Sequence, residues 1–268
     1  MPDAPSKAII LAAGLGSRLR PLTETRPKPL IEVHGRPILH NALGNLAALG
    51  VSETTIVVGY RKDDITASCG DAYGSMKITY VDSSEFERTG SAYSLWLARD
   101  TLMNGDIFLL EGDVIFESSA LSRLLDHEGD VAAIDIFDEM MTGSAVILSE
   151  DGYVREFRLN QSSADLSTEP LYKTINLFRF GKYTLKEHLV PRLDALFAAG
   201  GSKAYVEQVL ACLIADGELR IKGALCDDLR WFEIDSTADL RVAERIFRSQ
   251  RSGLSGTSNR GAATSNKV

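Results

Sequence analysis

The sequence predicts an α/β fold, with a mixed, mainly parallel sheet covered by helices on both faces. Short apolar runs of strand length alternate with helix-periodic segments through the first half of the chain. That alternation belongs to a parallel sheet whose strands are joined by crossover helices. Three strand ends, after Leu11, at Gly59-Tyr60 and at Glu111-Gly112-Asp113, carry small, polar or acidic residues. Ligands of open α/β sheets bind beyond the carboxyl ends of the strands, so these three points mark one expected site.

In chain order, residues 8–11 (Ala-Ile-Ile-Leu) read as a buried strand. Residues 37–50 carry apolar side chains at helical spacing, with Gly50 as the stop. A strand is expected over 54–58, a helix over 63–70, a strand over 77–81, a helix over 90–102 and a strand over 106–110. The second half differs. Residues 145–148 and 154–157 flank Glu150-Asp151-Gly152 and read as a hairpin. A polar loop over 162–168 precedes a strand over 174–180. Helices are expected over 185–199 and 205–215, a late strand over 231–234, and a closing amphipathic helix over 239–249. There is no internal repeat. Residues 248–268, rich in Ser, Gly, Asn and Thr, read as a disordered tail or linker.

Composition narrows the function classes. The 268 residues are 44% hydrophobic, enough for a sizeable globular core. With 29 Lys and Arg against 37 Asp and Glu, the net charge is −8. So acidic a chain is not expected to wrap nucleic acid or lie on an anionic membrane, and its positive charge should be local. Cys69, Cys212 and Cys226 are odd in number and widely spaced, so neither a disulfide framework nor a thiolate metal site is expected. They fit a reducing cytoplasm. The first seven residues lack the apolar core of a signal peptide, and no apolar stretch approaches the ~18 residues of a membrane span. His34, His40, His127 and His188 have no mutual ligand spacing and read as surface or packing residues.

The segment from Leu11 to Leu30 is the most informative. Leu11-Ala12-Ala13-Gly14-Leu15-Gly16-Ser17-Arg18 is a glycine-rich turn at a strand end, where backbone N–H groups can approach an anion without β-carbon interference. Arg18 and Lys28 add positive charge, so the loop suits a polyphosphate. A P-loop would need Lys-Ser/Thr after the glycines, and the chain has Ser17-Arg18. A dinucleotide fingerprint would need a third glycine where Leu19 stands. Lys28 lies between Pro27 and Pro29, which restrict its backbone. Asp113 and Asp235 each follow an expected strand, a position suiting a turn former, a helix cap or a magnesium ligand alike.

The pattern Leu-Ala-Ala-Gly-x-Gly-x-Arg-x-x-Pro-Leu-Thr followed by Pro-Lys-Pro-Leu resembles the signature of sugar-phosphate nucleotidylyltransferases and their cytidylyltransferase relatives. Residues 94–98, 110–117, 172–176 and 231–235 further resemble the branch acting on phosphocholine or small phosphonates, and the likeness spans roughly residues 7–247. The resemblance implies a Rossmann-like sandwich of the nucleotide-diphospho-sugar transferase type. It also implies one domain over 1–247, with a nucleotide-binding part over about 1–118 and an acceptor-binding part over about 119–247. The implied reaction is Mg²⁺-dependent transfer of CMP from CTP to 2-hydroxyethylphosphonate, 2-aminoethylphosphonate or phosphocholine. A sugar-1-phosphate transferase using UTP, dTTP or GTP is one alternative. A catalytically silent regulatory subunit is another, against which the retained charges argue. A homodimer and a place within a larger polypeptide are both compatible with it.

Carried over residue by residue, the resemblance makes Arg18, Lys28 and Lys173 the catalytic cations and Asp113 and Asp235 the metal ligands. The loop from Leu11 to Arg18, with Lys28, Gly59, Tyr60, Thr89, Ser91, Ser94, Glu111 and Gly112, becomes the nucleotide-binding set. Glu233 reads as structural support. Two departures from the branch stand out. Its Thr-Asn-Asn is Thr89-Gly90-Ser91 here, and its Met-Asp-Gly-Thr is Met141-Thr142-Gly143-Ser144. The second removes a carboxylate suited to a cationic acceptor, so a neutral hydroxyalkylphosphonate is expected to be used at least as well as aminoethylphosphonate or phosphocholine, unless Asp138 or Glu139 supplies the charge.

Overall fold

The computed structural model describes residues 4–166 and 169–248. In the first half, the strands are β1 (Lys7–Ala12), β2 (Glu32–Val33), β3 (Arg36–Pro37), β4 (Glu53–Val58), β5 (Ala72–Tyr73), β6 (Met76–Asp82), β7 (Ile107–Glu111) and β8 (Val114–Phe116). Between them run α1 (Leu22–Thr25), α2 (Ile38–Ala48), α3 (Lys62–Cys69), α4 (Ser91–Leu97) and α5 (Arg99–Leu102). The second half holds β9 (Asp130–Ile136), β10 (Gly143–Leu148), β11 (Val154–Gln161), β12 (Tyr172–Phe180), β13 (Ile221–Leu225) and β14 (Trp231–Glu233). Its helices are α6 (Ser119–Arg123), α7 (Lys182–Thr184), α8 (Val190–Ala198), α9 (Val206–Ala215) and α10 (Thr237–Ile246).

The main sheet runs β11-β10-β12-β7-β1-β4-β6-β5, with β9 on the other edge of β12 and β13 beside β9. Strands β7, β1, β4 and β6 are mutually parallel, and β12 joins β7 antiparallel. The mixed, mainly parallel character around the glycine loop is as expected. Both faces are covered because side chains of a strand alternate. In β1, Ala8, Ile10 and Ala12 enter a core with α2 residues such as Leu39, Leu43 and Leu46, whereas Ile9 and Leu11 enter a core with Leu95, Leu193 and Leu210. Every residue of β1 from Ala8 to Ala12 is buried between these two cores.

Several expectations need correction. The helix read over 90–102 is two, because the chain turns at Ala98 between α4 and α5. The helix read over 185–199 opens with a wider π turn over Leu185–Leu189, and only Val190–Ala198 is α-helical. The hairpin strands extend to Gly143–Leu148 and Val154–Gln161. Strands β9, β13 and β8 were not expected. The first two are short runs with small or charged residues, and β8 follows β7 after two residues, so all three lacked a clear period. The tail from 249 onward, including the end of the expected closing helix, lies outside the described residues. Among the described residues no helix is long and apolar enough to cross a membrane.

Candidate active site

A cleft of about 420 Å³ opens over the carboxyl ends of β1 and β7. Its charged end is assembled by a small second sheet. Strand β14 pairs antiparallel with β8, placing Glu233 opposite Val114 and Phe232 opposite Ile115. The Ile234 N–H donates to the Asp113 carbonyl at 3.0 Å, so Asp113 and Asp235, remote in sequence, leave this ribbon side by side. Asp235 is then held by the start of α10. Ser236 caps that helix, and the Asp239 carboxylate accepts from the Asp235 N–H at 3.1 Å and the Ser236 N–H at 2.7 Å.

Lys28 sits in the short turn Lys28–Leu30, with its Cβ against Gly16. Gly16 has φ 63°, a left-handed conformation natural to glycine, and an added β-carbon there would lie 2.8 Å from Lys28 Cβ. The Lys28 ammonium donates to Asp113 Oδ2 and to Asp235 Oδ1, both at 2.7 Å, and Arg18 reaches the same Asp235 oxygen at 2.8 Å. Burial alone would push the Lys28 ammonium down. The Asp113 and Asp235 carboxylates outweigh it and hold the group charged. Burial likewise works against ionised Asp235, but Lys28 and Arg18 keep its carboxyl below the usual range.

Glu233 stands with these two aspartates: one carboxylate oxygen from each of Asp113, Glu233 and Asp235 falls within 4.8 Å of the others. Hard oxygen donors of this kind suit Mg²⁺. Asp113 Oδ1 is buried with no hydrogen-bond partner, leaving an acceptor free for a cation. The three residues fit the expected metal, and Glu233, read from the sequence as structural support, stands within the same cluster. Its signal in the sequence was its place at the end of the late strand, two residues before Asp235.

The expected site residues divide into two groups. Leu11, Ala12, Ala13, Gly14, Gly16, Ser17, Arg18 and Lys28 line the cleft, as do Thr89, Ser91, Ser94, Glu111, Gly112, Asp113 and Asp235. Leu15, Gly59, Tyr60 and Lys173 do not. Lys173 is 3% exposed, and its ammonium pairs with Glu233 at 2.9 Å behind the cleft wall. Tyr60 turns away, its hydroxyl donating to the Thr23 carbonyl at 2.7 Å.

Phe86, Asn176, Tyr205 and Glu207 line the cleft without having been singled out. Asn176 had a legible signal, since an amide interrupts the apolar strand run around it. Its φ is 59° and the β12–β9 register slips there, consistent with the tolerance of Asn for left-handed backbone. Its Oδ1 is buried and unpartnered. Glu207 lies in the helix read over 205–215. It accepts from the Ser144 hydroxyl at 3.2 Å. Burial, then the carboxylates of Asp113, Glu207 and Glu233, push the Glu111 carboxyl well above its ordinary range. Glu111, Glu207 and Glu233 place carboxyl groups in the cleft, whereas Thr142 does not line it. Neither Asp138 nor Glu139 supplies the missing charge: the Asp138 carboxylate accepts from the Met140 N–H at 2.7 Å, and neither residue lines the cleft.

The family profile described as Nucleotidyl transferase matches residues 7–221. The chain belongs to the nucleotidyl transferase family. Among nucleotidyl transferases, it is 36% identical over 93% of its length to CMP-5'-(3-aminopropyl)phosphonate synthase of Streptomyces rubellomurinus, of which it spans 40%. It is 36% identical to the 2-aminoethylphosphonate cytidylyltransferase of Lancefieldella rimae, matching 90% of this chain and 93% of that protein. It is 41% identical to the UTP–glucose-1-phosphate uridylyltransferase of Haloferax volcanii, matching 91% of this chain and 99% of that protein. The nucleotidyl transferase fold is seen again in the CTP:phosphocholine cytidylyltransferase of Streptococcus pneumoniae. That structure superposes with a TM-score of 0.75 at 23% identity, over 90% of this chain and 98% of that one.

Proposed function

We propose that this chain transfers CMP from CTP to the phosphonate oxygen of a small aminoalkylphosphonate, with release of pyrophosphate. The observation that carries the reading is the meeting of Lys28 and Arg18 with Asp113, Glu233 and Asp235 at one end of the cleft. Two anions must approach each other in this reaction, so positive charge at the phosphates is the main requirement. An acceptor oxygen attacks the α-phosphorus, and the bond from that phosphorus to the β-bridging oxygen breaks. Arg18 and Lys28 neutralise the triphosphate beside the glycine loop. Lys173 acts on the same chemistry from behind, by holding Glu233 in place. Asp113, Asp235 and Glu233 would hold Mg²⁺, which supplies further positive charge at the reacting phosphates when bound.

Glu207 favours an acceptor with an ammonium group over a neutral hydroxyalkylphosphonate, because its carboxyl group lines the cleft. The Streptomyces and Lancefieldella relatives carry aminoalkylphosphonates in their names, which supports the same class. Free Cys69, Cys212 and Cys226 fit a cytoplasmic setting. A second reading, a sugar-1-phosphate uridylyltransferase, is favoured by the full-length match to the Haloferax enzyme. Pyrophosphate release with CTP, UTP, dTTP, GTP and ATP, each tested with aminoalkylphosphonates, phosphocholine and glucose-1-phosphate, separates the two. Turnover with UTP and glucose-1-phosphate alone would replace the first reading by the second.

A further inference from the structure

The cleft has a second, uncharged end. In the sheet order, β7 lies on one side of β1 and β4 and β6 on the other, so the site is divided by strand position. The carboxylates and Lys28 gather on the β7 side. Toward β4 and β6 the lining is Ala13, Phe86, Thr89, Ser91 and Ser94, none of them charged, and α9 brings Tyr205 and Glu207 in beyond Ser91.

Two aromatic rings line the cleft: Tyr205, exposed beside Ser91 where α9 begins, and Phe86, seated against the strand end. Phe86 lies on the turn that follows β6, where its N–H donates to the Ser83 carbonyl at 3.1 Å. Tyr60 packs edge-to-face against it, with ring centroids 6.1 Å apart. Gly59 closes in from below: a β-carbon there would come within 2.9 Å of Phe86 Cδ1 and 2.7 Å of the Ala13 carbonyl oxygen. Only a residue without a side chain lets the ring sit so near the strand end. The Tyr60 hydroxyl donates to the Thr23 carbonyl, and the Thr23 hydroxyl to the Gly16 carbonyl at 2.9 Å. One line of contacts therefore runs from Phe86 through Tyr60 and Thr23 to the glycine loop. Gly59 and Tyr60, which do not line the cleft, have their place in it as the seat of this ring.

We propose that Phe86 is the platform on which the nucleobase stacks; the proposal rests on reading the cleft as a nucleoside triphosphate site. A base is a flat, neutral π system, and a triphosphate anchored at Arg18 and Lys28 leaves its base for the uncharged end. A ring already packed from behind loses little freedom on stacking. Stacking is tolerant of base identity, so Phe86 contributes affinity for the nucleoside while selection among bases lies in polar contacts.

The test is calorimetric binding of CTP, UTP, GTP and inorganic tripolyphosphate, with Mg²⁺, to wild type and to Phe86→Leu, Phe86→Met and Phe86→Tyr. The two aliphatic variants are expected to lose about 5- to 100-fold in affinity for the nucleotide, and the tyrosine variant to stay within about threefold of wild type. Tripolyphosphate, which has no base, should bind all four proteins alike. Nucleotide binding undiminished in a folded aliphatic variant overturns the role of Phe86 alone. A parallel loss of tripolyphosphate affinity also overturns it, because the effect would then be on the loop. Wild-type protein that binds none of the three nucleotides overturns the functional reading and this proposal together.

Discussion

The Lys28 ammonium lies 2.7 Å from the Asp113 carboxylate and 2.7 Å from that of Asp235, so one cation joins the glycine-loop segment to both aspartates. The residue expected to meet the triphosphate and the residues fitted to a metal are thus already in contact. Replacing Asp113 by Asn keeps shape and removes charge. Turnover should fall by about two to three orders of magnitude, with the melting temperature little changed. Steady-state pyrophosphate release at saturating Mg²⁺ checks it; undiminished kcat would remove Asp113 from the chemistry.

Lys173 and Glu233 form a more enclosed pair at 2.9 Å, with Lys173 itself buried. Lys173→Met leaves the Glu233 carboxylate without its partner. A loss of about 3–5 kcal/mol is expected for breaking such a pair, and adding Glu233→Gln should restore part of it. Urea unfolding of the single and double variants measures the coupling. Equal stability of wild type and Lys173→Met would show that the pair is not structural.

Glu111 gives a pH test. Burial and the neighbouring carboxylates raise its folded pKa above the unfolded value. The unfolded chain therefore ionises first, and the folded state loses stability as pH rises above the ordinary glutamate range. Glu111→Gln removes that cost. It should melt higher than wild type at pH 7–8, by roughly 2–4 °C for each kcal/mol relieved, and the gain should vanish near pH 4. A gain that persists at pH 4 would point to packing instead of ionisation.

Gly90 meets the loop before α9 at very close range: its N–H donates to the Ser202 carbonyl at 2.8 Å, and an added β-carbon would fall 2.1 Å from the Ala204 carbonyl oxygen. The obstacle is backbone, so Gly90→Ala should cost about 1–3 kcal/mol and displace the segment carrying Tyr205. Thermal melts and nucleotide affinity read the two effects. A variant as stable as wild type would mean that the loop moves freely.

The acceptor is tested by comparing kcat/KM with CTP for 3-aminopropyl-, 2-aminoethyl- and 2-hydroxyethylphosphonate. The amines should be favoured by about tenfold or more, the equivalent of one charge-assisted hydrogen bond. Glu207→Gln should narrow the gap. Equal use of the hydroxyl compound would remove the preference for an amine, and better use would put the neutral acceptor first.

Much of this was legible in the sequence because period and motif are local. The strand over 8–11, the glycine loop and the aspartate after β7 all declare themselves within a few residues. What escaped depends on distant pairing. Glu233 joins the carboxylate cluster only because β14 pairs with β8, and Glu207 enters the cleft only because α9 packs beneath α4 through the bond from the Val206 N–H to Ser91 Oγ at 3.1 Å. Lys173 shows the converse. Its motif was readable, but its burial behind Glu233 was not, since a lysine in a strand gives no sign of which edge will cover it.

The β8–β14 ribbon also sets an order of events during synthesis. Asp113 leaves the ribosome well before Asp235, and at 5–20 residues per second the interval is on the order of ten seconds. Through that time a nascent chain can carry the glycine loop and Lys28, but it lacks the second aspartate that clasps them. Full charge complementarity arrives only with the last strand, so a chain cut short before Trp231 would hold Arg18 and Lys28 without the Asp235 carboxylate that pairs with both.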